Sequence, residues 1–210
     1  MLTIFEDLFL LAIDDEEGDL LESAVERLEP ALAAGMLAEL VLRKRIRLEE
    51  GHVRVVDPAV IEDALMDKVL FTILDTPRLR KLKYWINTLT YEKLCSDIGY
   101  YLVEKKVLAR KKKRLLLVIP YGENSPATVS AKYEVKRRLR EIVLAGSSAE
   151  QPEKIQLALL YHCDLLTLVF TRGERKAASN EIKKLLAEEE AAGGNEMINQ
   201  IIAVATRSLS

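Results

Sequence analysis

Pro30-Ala31-Leu32-Ala33-Ala34-Gly35-Met36-Leu37-Ala38-Glu39-Leu40-Val41-Leu42-Arg43-Lys44-Arg45-Ile46-Arg47-Leu48-Glu49-Glu50-Gly51-His52-Val53-Arg54-Val55 carries two periodicities in succession. Leu32, Met36, Leu37, Leu40 and Val41 recur three and four residues apart, the spacing of one helical face. From Ile46 the period drops to two: Ile46 and Leu48 alternate with charged residues, and so do Val53 and Val55. Glu50-Gly51 supplies a turn between them, so the stretch reads as a helix running into a β-hairpin. Pro30 suits the first turn of that helix, where its missing N–H has no partner to lose. The helix is expected to reach about Lys44.

Helical periodicity dominates on both sides of this stretch. Upstream, Leu2, Phe5, Leu8, Phe9 and Ala12 lie on one face, with Thr3 as a cap and Glu6-Asp7 where negative charge suits the helix dipole. This helix should end near Asp14, and the acidic loop Asp14-Asp15-Glu16-Glu17-Gly18-Asp19 follows. Downstream, Asp57-Pro58 closes the hairpin and opens a helix to about Leu74, and Pro77 separates it from another near 79–89. A further helix spans roughly 91–106. A second hairpin is predicted over 107–121: Val107-Leu108, a basic turn, then Leu115, Leu116, Leu117, Val118 and Ile119, ended by Pro120. Helices over 127–144, 153–166, 173–190 and 195–208 complete the chain, broken at Gly146-Ser147-Ser148 and Gly193-Gly194. With no repeat and no linker, residues 1–210 read as a single, mainly α domain carrying two small β-hairpins.

Charge is unevenly distributed. Over 105–140 twelve basic residues face only Glu123 and Glu134, a local charge of +10 in a chain whose net charge is −2. Such a segment creates a field that attracts phosphate, of lipid or nucleic acid. No apolar run approaches the ~20 residues needed to span a bilayer. The apolar N-terminus is interrupted by Glu6 and Asp7 and has no basic segment before it, unlike a secretory signal. Cys95 and Cys163 match no metal or redox spacing, which suggests a reducing compartment. A cytoplasmic protein is expected.

The sequence makes no positive case for catalysis. It holds no glycine-rich phosphate loop, nucleophile elbow or histidine pair at metal-ligand spacing, so neither metal nor cofactor is expected. His52 lies in the first hairpin and is read as solvent-facing. In His162-Cys163-Asp164, neighbours one apart on a helix point in different directions, so a polar histidine on a buried helix explains the cluster better than a nucleophile does.

In chain order, several motifs resemble the Golgi phosphoprotein 3 family. Leu2-Thr3-Ile4-Phe5-Glu6-Asp7-Leu8-Phe9-Leu10-Leu11-Ala12-Ile13-Asp14-Asp15-Glu16-Glu17-Gly18 is similar to its opening signature, and 34–49 to its second, with Lys44 where glycine is common. Val55-Val56-Asp57-Pro58, Tyr101-Leu102-Val103-Glu104-Lys105-Lys106-Val107-Leu108 and Lys136-Arg137-Arg138-Leu139-Arg140 follow at family-like spacing. The resemblance implies a mostly helical fold with a projecting β-hairpin used in self-association. It also implies binding of the phosphatidylinositol 4-phosphate headgroup and a non-enzymatic adaptor role toward protein clients. The hairpin at 107–121 occupies the projecting position. Leu115, Leu116, Leu117, Val118 and Ile119 are its candidate homo-oligomerisation strand, and Lys111, Lys112, Lys113 and Arg114 its candidate lipid-binding edge.

The headgroup residues do not carry over. The family's tryptophan falls near Ser23 or Ala24, its arginine at Ala33, and its two further basic residues at about Glu92 and Cys95. Arg27 and Lys93 are the nearest substitutes, but Glu22, Glu26, Glu29 and Glu92 crowd the same region. Generic anionic-lipid binding at the cytoplasmic membrane face is therefore expected over phosphoinositide selectivity. The chain opens at the first motif without the basic extension of eukaryotic members, as expected of a prokaryotic relative. Two alternatives compete with this reading. One is a winged-helix DNA binder with 111–114 as the wing, although Glu92, Asp97 and Glu104 on its recognition helix make nucleic acid an unexpected partner. The other is a self-assembling scaffold without lipid.

Overall fold

The computed structural model describes residues 2–14, 19–108 and 126–207, and its architecture turns on the first helix. All eight residues of α1 (Ile4–Leu11) are buried, Glu6 and Asp7 included. A helix apolar on nearly every side belongs at the centre of a protein. Its first turn is closed by the Thr3 N–H, which donates to Glu6 Oε2 at 2.6 Å, one half of a capping box.

Helix α2 (Glu22–Leu42) crosses α1 at Gly35. A Cβ there would sit 3.2 Å from Ile4 Cγ2 and 3.3 Å from the Phe5 nitrogen, so the absence of a side chain sets how closely the two helices approach. α2 begins eight residues before Pro30, which lies buried inside the helix and not in its first turn. The apolar stripe explains this: Ala24 and Leu28 continue the face of Ala31, Leu32 and Gly35 backward through the proline, and burying them offsets the lost hydrogen bond.

The hairpin forms as expected. Strand β1 (Ile46–Glu49) pairs antiparallel with β2 (His52–Val55), Ile46 opposite Val55 and Glu49 opposite His52. Glu50 and Gly51 both have positive φ, the conformation of the two-residue turn that matches strand twist. Helix α3 (Ala64–Leu74) starts well after Pro58. Asp63 caps it by accepting from the Met66 N–H at 3.1 Å, and Asp67 reaches back to the Ile61 N–H at 2.7 Å. A third strand, β3 (Arg80–Lys81), adds to the open edge of β2 and leads directly into α4 (Leu82–Leu89).

Helix α5 (Leu94–Glu104) follows, then α6 (Pro126–Ala145) and α7 (Gln151–His162). The run predicted to continue to Leu166 leaves the helix at Cys163 and makes a 3-10 turn at Leu166–Leu168. α8 (Arg175–Ala191) and α9 (Glu196–Arg207) end the described chain. α2, α5, α6 and α7 pack around α1, α8 lies on α6 and α7, and α9 lies on α2, α4 and α7. One hydrophobic cluster runs through these elements. The protein is mainly α with a three-stranded antiparallel sheet. Most of the second predicted hairpin, residues 109–121, lies outside the described residues. Of its start, Leu108 is buried, and the Val107 carbonyl accepts from Thr128 Oγ1 at 3.3 Å.

Candidate anion-binding surfaces

The positions that the resemblance implies for a headgroup lie in the region of α2 and α5, which is poorly built for a phosphate. Ala24, Ala33 and Cys95 are buried, and Glu92 is exposed. Burial pushes the Cys95 thiol up to about 12, and the neighbouring Glu29 carboxylate adds to the shift. Glu29 is itself raised by desolvation. A thiol and a carboxylate thus stand where a phosphate site needs convergent cations. Of the two candidate substitutes, exposed Arg27 on α2 pairs with Asp164 in the turn after α7, tying those elements together. Lys93 is the exposed residue preceding α5, with no ion pair among the described residues.

Of the basic residues at 105–140, most of those described are paired within the molecule. Lys105 Nζ reaches Glu6 Oε1 at 2.5 Å, the Tyr101 hydroxyl at 2.9 Å and Asp63 at 3.6 Å. Arg138 donates to the buried Asp7 carboxylate at 2.6 Å, where Gln156 Nε2 also donates at 2.7 Å, and its Nε lies 3.3 Å from Glu153. Burial still outweighs these partners and raises the Asp7 pKa. Lys132, buried, donates to the Ile13 carbonyl. Arg137 holds Glu134 and Glu141, and Arg140 grips Glu174 with two hydrogen bonds of 2.7 and 2.6 Å. That grip holds the Glu174 carboxyl down at about 2. These cations anchor α5 and α6 to the acids of α1 and to their neighbours. Lys111, Lys112, Lys113 and Arg114, with Leu115, Leu116, Leu117, Val118 and Ile119, lie outside the described residues.

The His162-Cys163-Asp164 cluster is dispersed. Cys163 is fully buried and its thiol is pushed up to about 12, while Asp164 is committed to Arg27. His162 ends α7 in an exposed position, packed edge-on against Tyr161, and does not sit on the buried face. His52, predicted to face solvent, is half-buried and bonded through Nδ1 to the Glu50 carbonyl at 3.0 Å. No group of three His, Cys, Asp or Glu among the described residues is arranged to hold a metal. No helix among them is long and apolar enough to cross a membrane. A cavity of about 630 Å³ lies between the hairpin and the start of α9, another of about 470 Å³ between α7, α8 and α9, and a third of about 280 Å³ beside Lys68 and Tyr91. None of them gathers several cations.

One basic surface has no counterpart in the sequence reading. From Thr76 to Tyr91 there are four cations, Arg78, Arg80, Lys81 and Lys83, and no acid. All four are exposed. None has an ion pair among the described residues, although the Arg80 guanidinium lies over the Tyr84 ring at 4.8 Å. A charge scan with a shorter window would have found them; the larger +10 segment draws attention elsewhere.

Among the described residues nine α-helices, the first of them buried at the centre, with a small sheet at the side and cations either paired with carboxylates or spread on the surface, define an α-rich domain. The model of the Golgi phosphoprotein 3 (GPP34) family matches residues 4–204, nearly the whole chain. The chain belongs to that family, in agreement with the ordered motifs read from the sequence. Comparison with curated proteins gives no significant match.

Proposed function

We propose that the chain is a non-enzymatic peripheral membrane adaptor that binds anionic lipid by electrostatics without selecting a phosphoinositide headgroup. The observation that supports this is the content of the region where the resemblance puts the headgroup: Ser23 or Ala24, Ala33 and about Glu92 and Cys95 fall there, with the Glu29 carboxylate beside the Cys95 thiol. Phosphate recognition by several converging donors is lost there, and like charge opposes what remains. The dispersed His162-Cys163-Asp164 cluster, with a buried thiol at about 12, supports the absence of nucleophilic chemistry. Self-association through 115–119 and the recruitment of protein clients belong to the same proposal by family membership.

The test is flotation with neutral, phosphatidylglycerol-rich and phosphatidylinositol 4-phosphate vesicles at two salt concentrations. Equal binding to both anionic kinds, lost as salt rises, is the expected result. Preference for the phosphoinositide at matched surface charge would mean a rebuilt pocket and would overturn the generic reading. Binding to none would leave a protein scaffold. In sizing experiments, Leu116→Asp with Val118→Asp should lower the oligomeric mass, and an unchanged mass removes the strand from that role.

A further inference from the structure

We propose that the sheet edge and helix start at 78–84 form a membrane-docking face, separate from the family's headgroup position, whose partner is the anionic surface of a phospholipid bilayer. The inference rests on the reading of the chain as a peripheral membrane protein and gives that reading a location.

The charge argument comes first. Arg78, Arg80, Lys81 and Lys83 are exposed and without ion pairs among the described residues, whereas Lys105, Arg137, Arg138 and Arg140 are each held by carboxylates. Strand register extends the positive field across the sheet. Lys81 stands opposite His52, and Arg47 opposite Arg54, so Lys81, Arg54 and Arg47 share the outer face. Glu49 on that face pairs with both arginines and neutralises one of them. Arg80, opposite buried Val53, leaves the edge on the other side, where its guanidinium meets Tyr84. The surface keeps an excess of cations.

Shape and polarity then choose the partner. Leu79, between Arg78 and Arg80, is 50% exposed, and Tyr84, next to Lys83 and under the Arg80 guanidinium, is 41% exposed. Tyr84 is held from behind by an edge-on contact with buried Trp85, ring centroids 5.2 Å apart. Apolar and tyrosine side chains standing out among unpaired cations are the make-up of an element that lies at the headgroup level of a bilayer. None of the three cavities is lined by this segment, so an extended surface suits it better than a small ligand. A nucleic acid is disfavoured because Arg80 already covers a face of Tyr84, the exposed aromatic of residues 78–84, leaving no free platform on this segment for a base. Bare edge-strand cations also fit solvent protection of a sheet edge. That role does not need Leu79 and Tyr84 exposed beside them.

The experiment uses the full chain and vesicles of phosphatidylglycerol in phosphatidylcholine, with pure phosphatidylcholine as the neutral reference. The variant Arg78→Ala/Arg80→Ala/Lys81→Ala/Lys83→Ala is compared with a control of equal net charge on other exposed positions, Arg172→Ala/Lys176→Ala/Lys183→Ala/Lys184→Ala. Each docking charge removed should lower the partition coefficient about five-fold, so the face variant drops on the order of a hundred-fold or more while the control changes little. Separately, Leu79→Trp should show a blue-shifted emission with anionic vesicles and none with neutral ones. Unchanged circular dichroism melts for the face variant show that the loss is not unfolding. Equal losses in both variants would reduce the effect to net charge and overturn the face. Full binding by the face variant overturns it too and leaves the adaptor reading standing. A wild-type chain that binds no anionic vesicle sinks both. Duplex DNA binding abolished by the face variant, without vesicle binding, would likewise overturn the assignment.

Discussion

Cys95 and Cys163 bear on whether the chain does chemistry. Both are buried, and desolvation pushes each thiol up to about 12, so neither is a thiolate at neutral pH. In the native protein at pH 8, a thiol reagent such as 5,5′-dithiobis(2-nitrobenzoate) should titrate no cysteine, and in guanidinium it should titrate both. A fast native reaction at either site would overturn the structural role. Glu174 gives the opposite sign of shift. Its carboxyl is held at about 2 by Arg140 and by the Thr171 N–H and hydroxyl, against an ordinary 4.5. A depressed folded value means that this contribution is complete above about pH 4.5 and is lost as pH falls toward 2. Glu174→Gln should therefore make the acid limb of the stability profile shallower between those values and leave its slope above pH 5 unchanged. The sequence places Arg140 in a basic run but cannot show its partner, because Glu174 is 34 residues away and only the fold brings them together.

At the scale of elements, legibility followed the length of the periodic signal. α1, the β1–β2 hairpin and α6 were readable because their apolar patterns are long or alternate cleanly. Pro30 misled because its local preference for a helix start is outweighed by the burial of Ala24 and Leu28 on the same stripe. β3 was invisible: two exposed cations have no alternation to read, and pairing with β2 alone defines the strand. The family was legible through the ordered motifs, while the β3 surface was not. Two element contacts can be tested directly. Gly35→Val places branched carbons against Ile4 and the Phe5 backbone and should destabilise the α1–α2 crossing by about 2 kcal/mol in chemical denaturation. A smaller cost than that of an exposed helix substitution would mean that the helices separate freely. Arg138→Leu leaves the Asp7 carboxylate buried with only Gln156 donating, and should cost about 3 kcal/mol. Adding Asp7→Leu should recover part of that loss, since an apolar pair no longer strands a charge. If the double variant is as unstable as the sum, the two residues are not coupled.

For the whole molecule, the question is which of its cations face outward. A net charge of −2 says little about binding, and the +10 segment says less than it seemed to, since its described members mostly hold the protein together. Cations buried against α1 or locked to Glu174 project little field, because each is neutralised within a few ångströms. The exposed cations of the β3 edge, which have no ion pair among the described residues, project far more of theirs. This division predicts opposite phenotypes from changes of identical charge. Removing Arg138 should lower the melting temperature and leave vesicle partitioning of the folded protein almost unchanged. Removing Arg78 or Lys83 should leave the melting temperature within a degree or two and weaken partitioning. Both quantities are to be measured on the same preparations at a temperature where every variant is folded, with salt raised stepwise to screen the surface term. If Arg138→Leu lost partitioning in the folded state as steeply as Arg78→Ala, the paired cations would be contributing to the surface field, and the separation of structural from docking charge would fail.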